Sequence, residues 1–170
     1  MLITENNTAK EILLGTTELF MKYGIKSVSM DDIARHFSMS KKTLYQHFDD
    51  KDKLVCECIQ ISLEKDMCAM QKINAESDDL ISEMVAIGEY MKKELYSINP
   101  SLMFDLKKYH PKAYKIFNDF KHEFMASCIS LSIVKGKEQG YFRKDIDIKA
   151  FARIRMKCSN IAFCIFPESY

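Results

Sequence analysis

Three prolines and five glycines in 170 residues leave few places where the chain must turn sharply. Beside many Leu, Ile, Met, Lys and Glu, that scarcity argues against a turn-rich β fold and for helices. Long apolar runs are also missing. The longest, Ile161 to Phe166, is far too short to span a bilayer, and the opening MLITENNTAK has no basic-then-apolar signal. Together these absences imply a cytoplasmic protein with no membrane partner. No C-x2-C pair occurs among the six cysteines, and Cys56 and Cys58, two apart on a helix, point to different sides. Without a secretory signal, Cys56, Cys58, Cys68, Cys128, Cys158 and Cys164 are expected to be buried free thiols acting as small hydrophobes. No metal and no cofactor is assigned. Catalytic patterns are absent too: there is no G-x-S-x-G, no H-E-x-x-H and no phosphate-cradling glycine loop, so an enzyme is not expected.

A strong charge of either sign is lacking as well, for the net charge is +1. Residues 1–55 hold eight Lys/Arg and eight Asp/Glu, a net of zero. Their distribution is uneven, however. From Arg35 to His47 there are three cations, two histidines and no acid. A positive field confined to one face suits docking by a single helix and opposes wrapping of nucleic acid around the whole molecule.

What the chain does contain is helical periodicity. Ala9, Ile12, Leu13, Thr16, Leu19, Phe20 and Tyr23 recur at three- and four-residue steps and predict an amphipathic first helix, stopped by Gly24 as a left-handed cap. Ser29 is placed to cap a second helix, with Asp32 three residues on as a weaker capping-box partner. Ile33, Ala34 and Phe37 would face inward. Ser40 would cap a third helix anchored by Leu44 and Phe48, and Asp50 a fourth running through Val55, Ile59, Leu63, Met67 and Met70. Leu80, Met84, Ile87, Met91, Leu95 and Ile98 mark a fifth, broken at Asn99-Pro100. A short sixth ends near Tyr109. His110-Pro111 opens a long seventh, uninterrupted through Ala113, Phe117, Phe120, Phe124, Cys128, Leu131 and Val134 to Gly140. An eighth follows through Ile148, Phe151, Ile154, Cys158, Ile161 and Ile165.

The third of these helices carries the chemistry. It presents Lys41, Lys42, Thr43, Tyr45, Gln46 and His47, a set of cations and hydrogen-bonding groups suited to base edges and flanking phosphates in the major groove. The spacing of Ile12, Phe20 and Gly24, the run Ser29 to Ala34 (SMDDIA), the run Ser40 to Phe48 (SKKTLYQHF) and the KDKL of Lys51 to Leu54 resemble the DNA-binding domain of TetR-type transcriptional regulators. The resemblance implies an all-α protein: a three-helix head with a helix-turn-helix at residues 1–50, joined by a continuous fourth helix to an effector-binding and dimerising helical-bundle body at 51–170. It implies that Lys42 and Thr43 reach base edges or nearby phosphates, and that Tyr45, His47 and Lys51 contact phosphates. Lys41, Ser40 and the capping Ser29 complete the expected DNA-binding set, whereas His36 is expected at a turn or on the surface.

Two departures from the family pattern stand out. Ser38 occupies the turn position where glycine is usual, and the chain stops at Pro167 to Tyr170 where members usually continue into a last dimerisation helix. Either the chain is truncated or its dimer is built differently. The family implies a repressor, acting as a homodimer and released from a palindromic double-stranded operator by a small molecule; in this chain the apolar stripe of the eighth helix predicts that the pairing runs through the seventh and eighth helices. Tyr90, Met91, Phe104, Tyr109, Phe117, Phe120 and Phe124 are the candidate lining of an apolar effector pocket, with ordinary core as the plainer role for each. The alternative function is a helical small-molecule or lipid-binding protein that no longer binds DNA.

Overall fold

The computed structural model describes residues 2–154. Cys158, Ile161, Cys164 and Ile165 lie outside the described residues. Among the described residues every regular element is helical: α1 (Leu2–Tyr23), α2 (Met30–His36), α3 (Lys41–His47), α4 (Lys51–Glu76), α5 (Leu80–Ser97), α6 (Leu102–Tyr109), α7 (Pro111–Phe120), a π turn (Lys121–Met125) and α8 (Ala126–Glu138). Residues 148–154 form a further helix, α9. Packing divides these into two compact units, residues 2–66 with 96–117 and residues 67–95 with 118–154. The first thus holds the expected head together with α6.

In the first unit the predicted stripes become the core. Ile12, Phe20, Ile33, Leu44, Phe48, Leu54 and Val55 are each no more than 2% exposed, so α1, α2, α3 and the start of α4 share one apolar centre. Thr16 is fully buried there, and its hydroxyl has no hydrogen-bond partner among the described residues. Tyr23, expected on the inward stripe of α1, is instead half exposed. α1 ends at Gly24, whose φ of 82° is left-handed. A side chain there would also strike Ser101, since a Cβ would stand 2.5 Å from its Oγ. That close approach lets the α5–α6 loop seal α1: the Asn99 amide donates to the carbonyl of Met21 at 2.7 Å, and its side-chain Nδ2 to that of Lys22 at 3.2 Å. Carbonyls left open at a helix end are satisfied from 77 residues away.

In the second unit α5 does not follow its predicted stripe. Met84 and Leu95 are exposed, whereas Glu83 is 2% exposed. The Glu83 carboxylate accepts from Lys135 Nζ at 2.7 Å and from Ser132 Oγ at 3.3 Å on α8, so this buried charge is paired as burial demands. The long seventh helix of the sequence expectation is interrupted by the π turn. A π turn adds a residue to the helical repeat and rotates everything beyond it. The inward residues of α8 are accordingly Ile133 and Gly136, while the expected Leu131 and Val134 are exposed. Gly136 is needed where it stands, because a Cβ would lie 2.4 Å from the Phe142 ring and 2.6 Å from Leu80. Cys56 and Cys128 are half-buried and Cys58 buried, but Cys68 is exposed, contrary to the expectation for that residue. No helix among the described residues is long and apolar enough to cross a membrane.

Candidate nucleic-acid interface

α2 and α3 are short, seven residues each, so their ends decide whether they form. Ser29 caps α2 as anticipated: the Asp32 amide donates to Ser29 Oγ at 3.2 Å, and the Ser29 amide donates back to Asp32 Oδ2 at 3.0 Å. The Ser29 hydrogen bonds are the main reason the Asp32 carboxyl is held below its ordinary value. At the other end of α2 the Ser38 amide donates to Arg35 and the Met39 amide to Ala34, the paired bonds of a Schellman ending. Such an ending needs a left-handed residue. Ser38 supplies it with φ of 53°, in the place where glycine adopts that conformation without a Cβ penalty. The turn keeps its shape despite the substitution.

Ser40 then caps α3, accepting from the Thr43 amide at 3.0 Å and sharing a hydrogen bond with the Thr43 hydroxyl at 2.8 Å. Leu44 and Phe48, on one side of this helix, are buried at 0% and 1% exposure. With that side fixed, Lys41, Lys42, Tyr45 and Gln46 turn to solvent, and Thr43 and His47 are partly covered. The outward face therefore carries no acid of its own. Lys41, however, reaches across to Asp31 of α2, Nζ to Oδ1 at 2.8 Å, and this hydrogen bond holds its ammonium above the ordinary lysine value. Lys42 is exposed and makes no ion pair among the described residues.

Asp50 caps α4 through the Lys53 amide at 2.7 Å, as its sequence position suggested. Lys51 has a second occupation that its position did not suggest. Its Nζ donates to the carbonyls of Ile25 and Val28 at 2.7 and 2.6 Å, with the Phe20 ring 5.9 Å away. Burial pulls this ammonium below the ordinary lysine value. Two of its three protons are thus spent on the α1–α2 loop. The same loop is held from α6: the buried Asp105 accepts from the Lys26 amide at 2.9 Å. His110, at the end of α6, bonds Asp52 through Nδ1. His36 is exposed and packs edge-on against Phe37, whose ring lies over Gly15 of α1.

Of the candidate pocket residues, Phe104 and Tyr109 stand exposed on α6 with their rings 6.4 Å apart, and Phe117 is half-buried in the same unit. Tyr90, Met91, Phe120 and Phe124 are half-buried in the other unit, where Phe120 stacks on Phe124 at 4.9 Å across the π turn. No group of three or more possible metal ligands occurs among the described residues.

Residues 12–58 match the bacterial regulatory proteins of the tetR family. Over 129 residues, 72% of this chain, the sequence is 32% identical to an uncharacterized HTH-type transcriptional regulator, YvaF, of Bacillus subtilis, and the match spans 64% of that protein's length. Solved structures of similar fold include a TetR family transcriptional regulator, PfmR, of Thermus thermophilus, with TM-score 0.64 and 24% identity over 93% of this chain and 87% of that one. A TetR family regulator of Agrobacterium tumefaciens aligns with TM-score 0.76 and 17% identity, covering 94% and 86% of the two chains. Another is a putative transcriptional regulator of Saccharomonospora viridis in complex with choline, with TM-score 0.73 and 21% identity over 87% and 79%. The capped α2–turn–α3 unit falls wholly inside the matched residues, and the chain belongs to the TetR family.

Proposed function

We propose that the chain is a cytoplasmic DNA-binding transcriptional regulator that inserts α3 into the major groove of a near-palindromic operator as one half of a symmetric pair. One observation carries this. α3 is acid-free, is capped by Ser40, is fixed from behind by Leu44 and Phe48, and shows Lys42, Tyr45 and Gln46 to solvent. In this assignment Lys42 and Thr43 meet base edges or adjacent phosphates, and Tyr45 and His47 meet phosphates, since an ammonium, a phenol and an imidazole all suit anionic oxygens. Ser29 and Ser40 set the two helix starts at the backbone, and Lys51 keeps one proton for a phosphate while holding the loop ahead of α2.

A single α3 offers few contacts, so specific binding calls for two copies related by a two-fold axis. Exposed Leu131 and Val134 on α8 and Phe151 and Ile154 on α9 supply apolar surface for that pairing. The helical body that follows the head is the proposed place for a small organic effector, which releases the operator by favouring one conformation. The choline held by the Saccharomonospora relative supports a small-molecule effector as a class. Selection of duplexes from a random pool by the full chain tests the proposal. A two-fold symmetric consensus is expected. Recovery of no preferred sequence at any salt concentration would remove the operator and leave the body as a ligand-binding protein.

A further inference from the structure

Two lysines converge on one tyrosine beside the helix-turn-helix. Lys26, in the α1–α2 loop, places its ammonium 5.2 Å from the centre of the Tyr109 ring, and Lys108 of α6 places its own 5.3 Å from the same ring and 5.2 Å from Phe104. All four residues are exposed. Neither ammonium pairs with a carboxylate among the described residues. The one acid within this stretch of α6, Asp105, is 4% exposed and uses Oδ2 to accept the Lys26 amide. That bond anchors the Lys26 backbone against α6, so both lysine stems start from fixed positions beside the Tyr109 ring. Hydrogen bonds from Lys26 and then Lys108 hold the Tyr109 phenol below its ordinary value, the response expected of a hydroxyl facing two cations.

We propose that Lys26, Lys108 and Tyr109 form a second phosphate-binding site, which grips the DNA backbone flanking the bases read by α3. Like charges held together favour an anion between them, and Lys26 stands three residues before the α2 cap Ser29 in the loop that Lys51 also clasps. α3 itself needs such help. Lys41 is already compensated by Asp31, which leaves Lys42 as that helix's unpaired lysine. A phosphodiester on a duplex fits the cluster better than a small free anion, because the residues lie open on the surface and enclose nothing.

This inference rests on the DNA-binding function proposed above, and its test separates the two. Binding of the full chain to its selected duplex is measured across a salt series for wild type, Lys26→Gln, Lys108→Gln and the double variant, with Lys93→Gln, an exposed lysine of the other compact unit, as a control and thermal unfolding as a check on folding. The double variant should lower the slope of log K against log salt by about 0.9, the release expected for one phosphate, with each single variant falling between it and wild type, while the preference for operator over scrambled duplex is kept. Lys93→Gln should leave the slope alone. A wild-type slope in the double variant, or an equal loss in the control, overturns the site while leaving α3 as reader. Failure of the wild type to bind any duplex overturns both. A parallel titration with inorganic phosphate, followed by the Tyr109 ring resonances, should show at most millimolar binding. Tight phosphate binding lost in the double variant, with an unchanged DNA slope, would reassign the cluster to a free anion and defeat the proposal.

Discussion

Lys51 Nζ lies 2.6 Å from the carbonyl oxygen of Val28, and with the companion bond to Ile25 it pins the loop that leads into α2 to the first turn of α4. A lysine at the helix start that follows a helix-turn-helix invites a phosphate role, but here its ammonium is first a strut within the protein. Lys51→Met should therefore lower stability by about 2 kcal/mol, since two carbonyls lose a charged donor. Denaturant unfolding measures that loss. In the same variant the salt slope of DNA binding should change less than in Lys42→Ala. A fully stable Lys51→Met with a reduced slope would mean that the phosphate is its main partner.

Ser38 ends α2 in the left-handed region, where its Cβ costs energy that glycine avoids. Ser38→Gly should stabilise the protein by roughly 1 kcal/mol and leave operator affinity unchanged, because the Schellman bonds are made by the backbone. A loss of stability would show that the serine side chain makes a compensating contact.

The pairing of Lys41 with Asp31 sets an acid beside α3, the proposed reading helix. Asp31→Asn removes that charge and frees Lys41 for the duplex. Affinity for DNA should rise, most at low salt where screening is weakest. Unchanged or weaker binding in a low-salt titration would place Lys41 outside the interface.

Thiol reactivity should follow burial. Cys68 is exposed, whereas desolvation pushes the Cys58 thiol up to about 12. A maleimide at neutral pH should modify Cys68 quickly and Cys58 only on unfolding. The sign of the linked pH effect follows from the raised value. Above the unfolded thiol's pKa, near 8.5, the unfolded chain ionises while folded Cys58 stays protonated, so stability contributed by this group falls with rising pH by up to about 1.4 kcal/mol per unit. It is fully present below pH about 8. Peptide mapping of the label and unfolding at mildly alkaline pH check the two halves.

The local features were legible in the sequence and the long-range ones were not. Ser29, Ser40 and Asp50 could be read as caps, Gly24 as left-handed and Ser38 as standing at a glycine position, because each depends on neighbours within a few positions. The clasp of Lys51, the bond from Lys26 to Asp105 and the pairing of His110 with Asp52 join residues 23 to 79 positions apart, and periodicity says nothing about such partners. The π turn carries no composition signal, so the face assigned to α8 came out rotated, and Leu131 and Val134 emerged at the surface. On α5 an apolar stripe overruled the possibility that a paired glutamate, Glu83, would be the buried residue. Chemistry that α3 displays toward solvent was readable directly, since burial of Leu44 and Phe48 leaves its outer face little choice.

The central claim is that α3 reads DNA, and fluorescence anisotropy of a labelled selected duplex, titrated with wild type, Lys42→Ala and Tyr45→Ala at several salt concentrations, tests it most directly. Both side chains are exposed, so both variants should keep the wild-type unfolding midpoint. Each should bind the operator at least tenfold more weakly, corresponding to about 1.4 kcal/mol, and Lys42→Ala should also reduce the salt slope by about one unit. Wild-type affinity and slope in both variants, with the fold intact, would contradict the assignment of α3 as the reading helix.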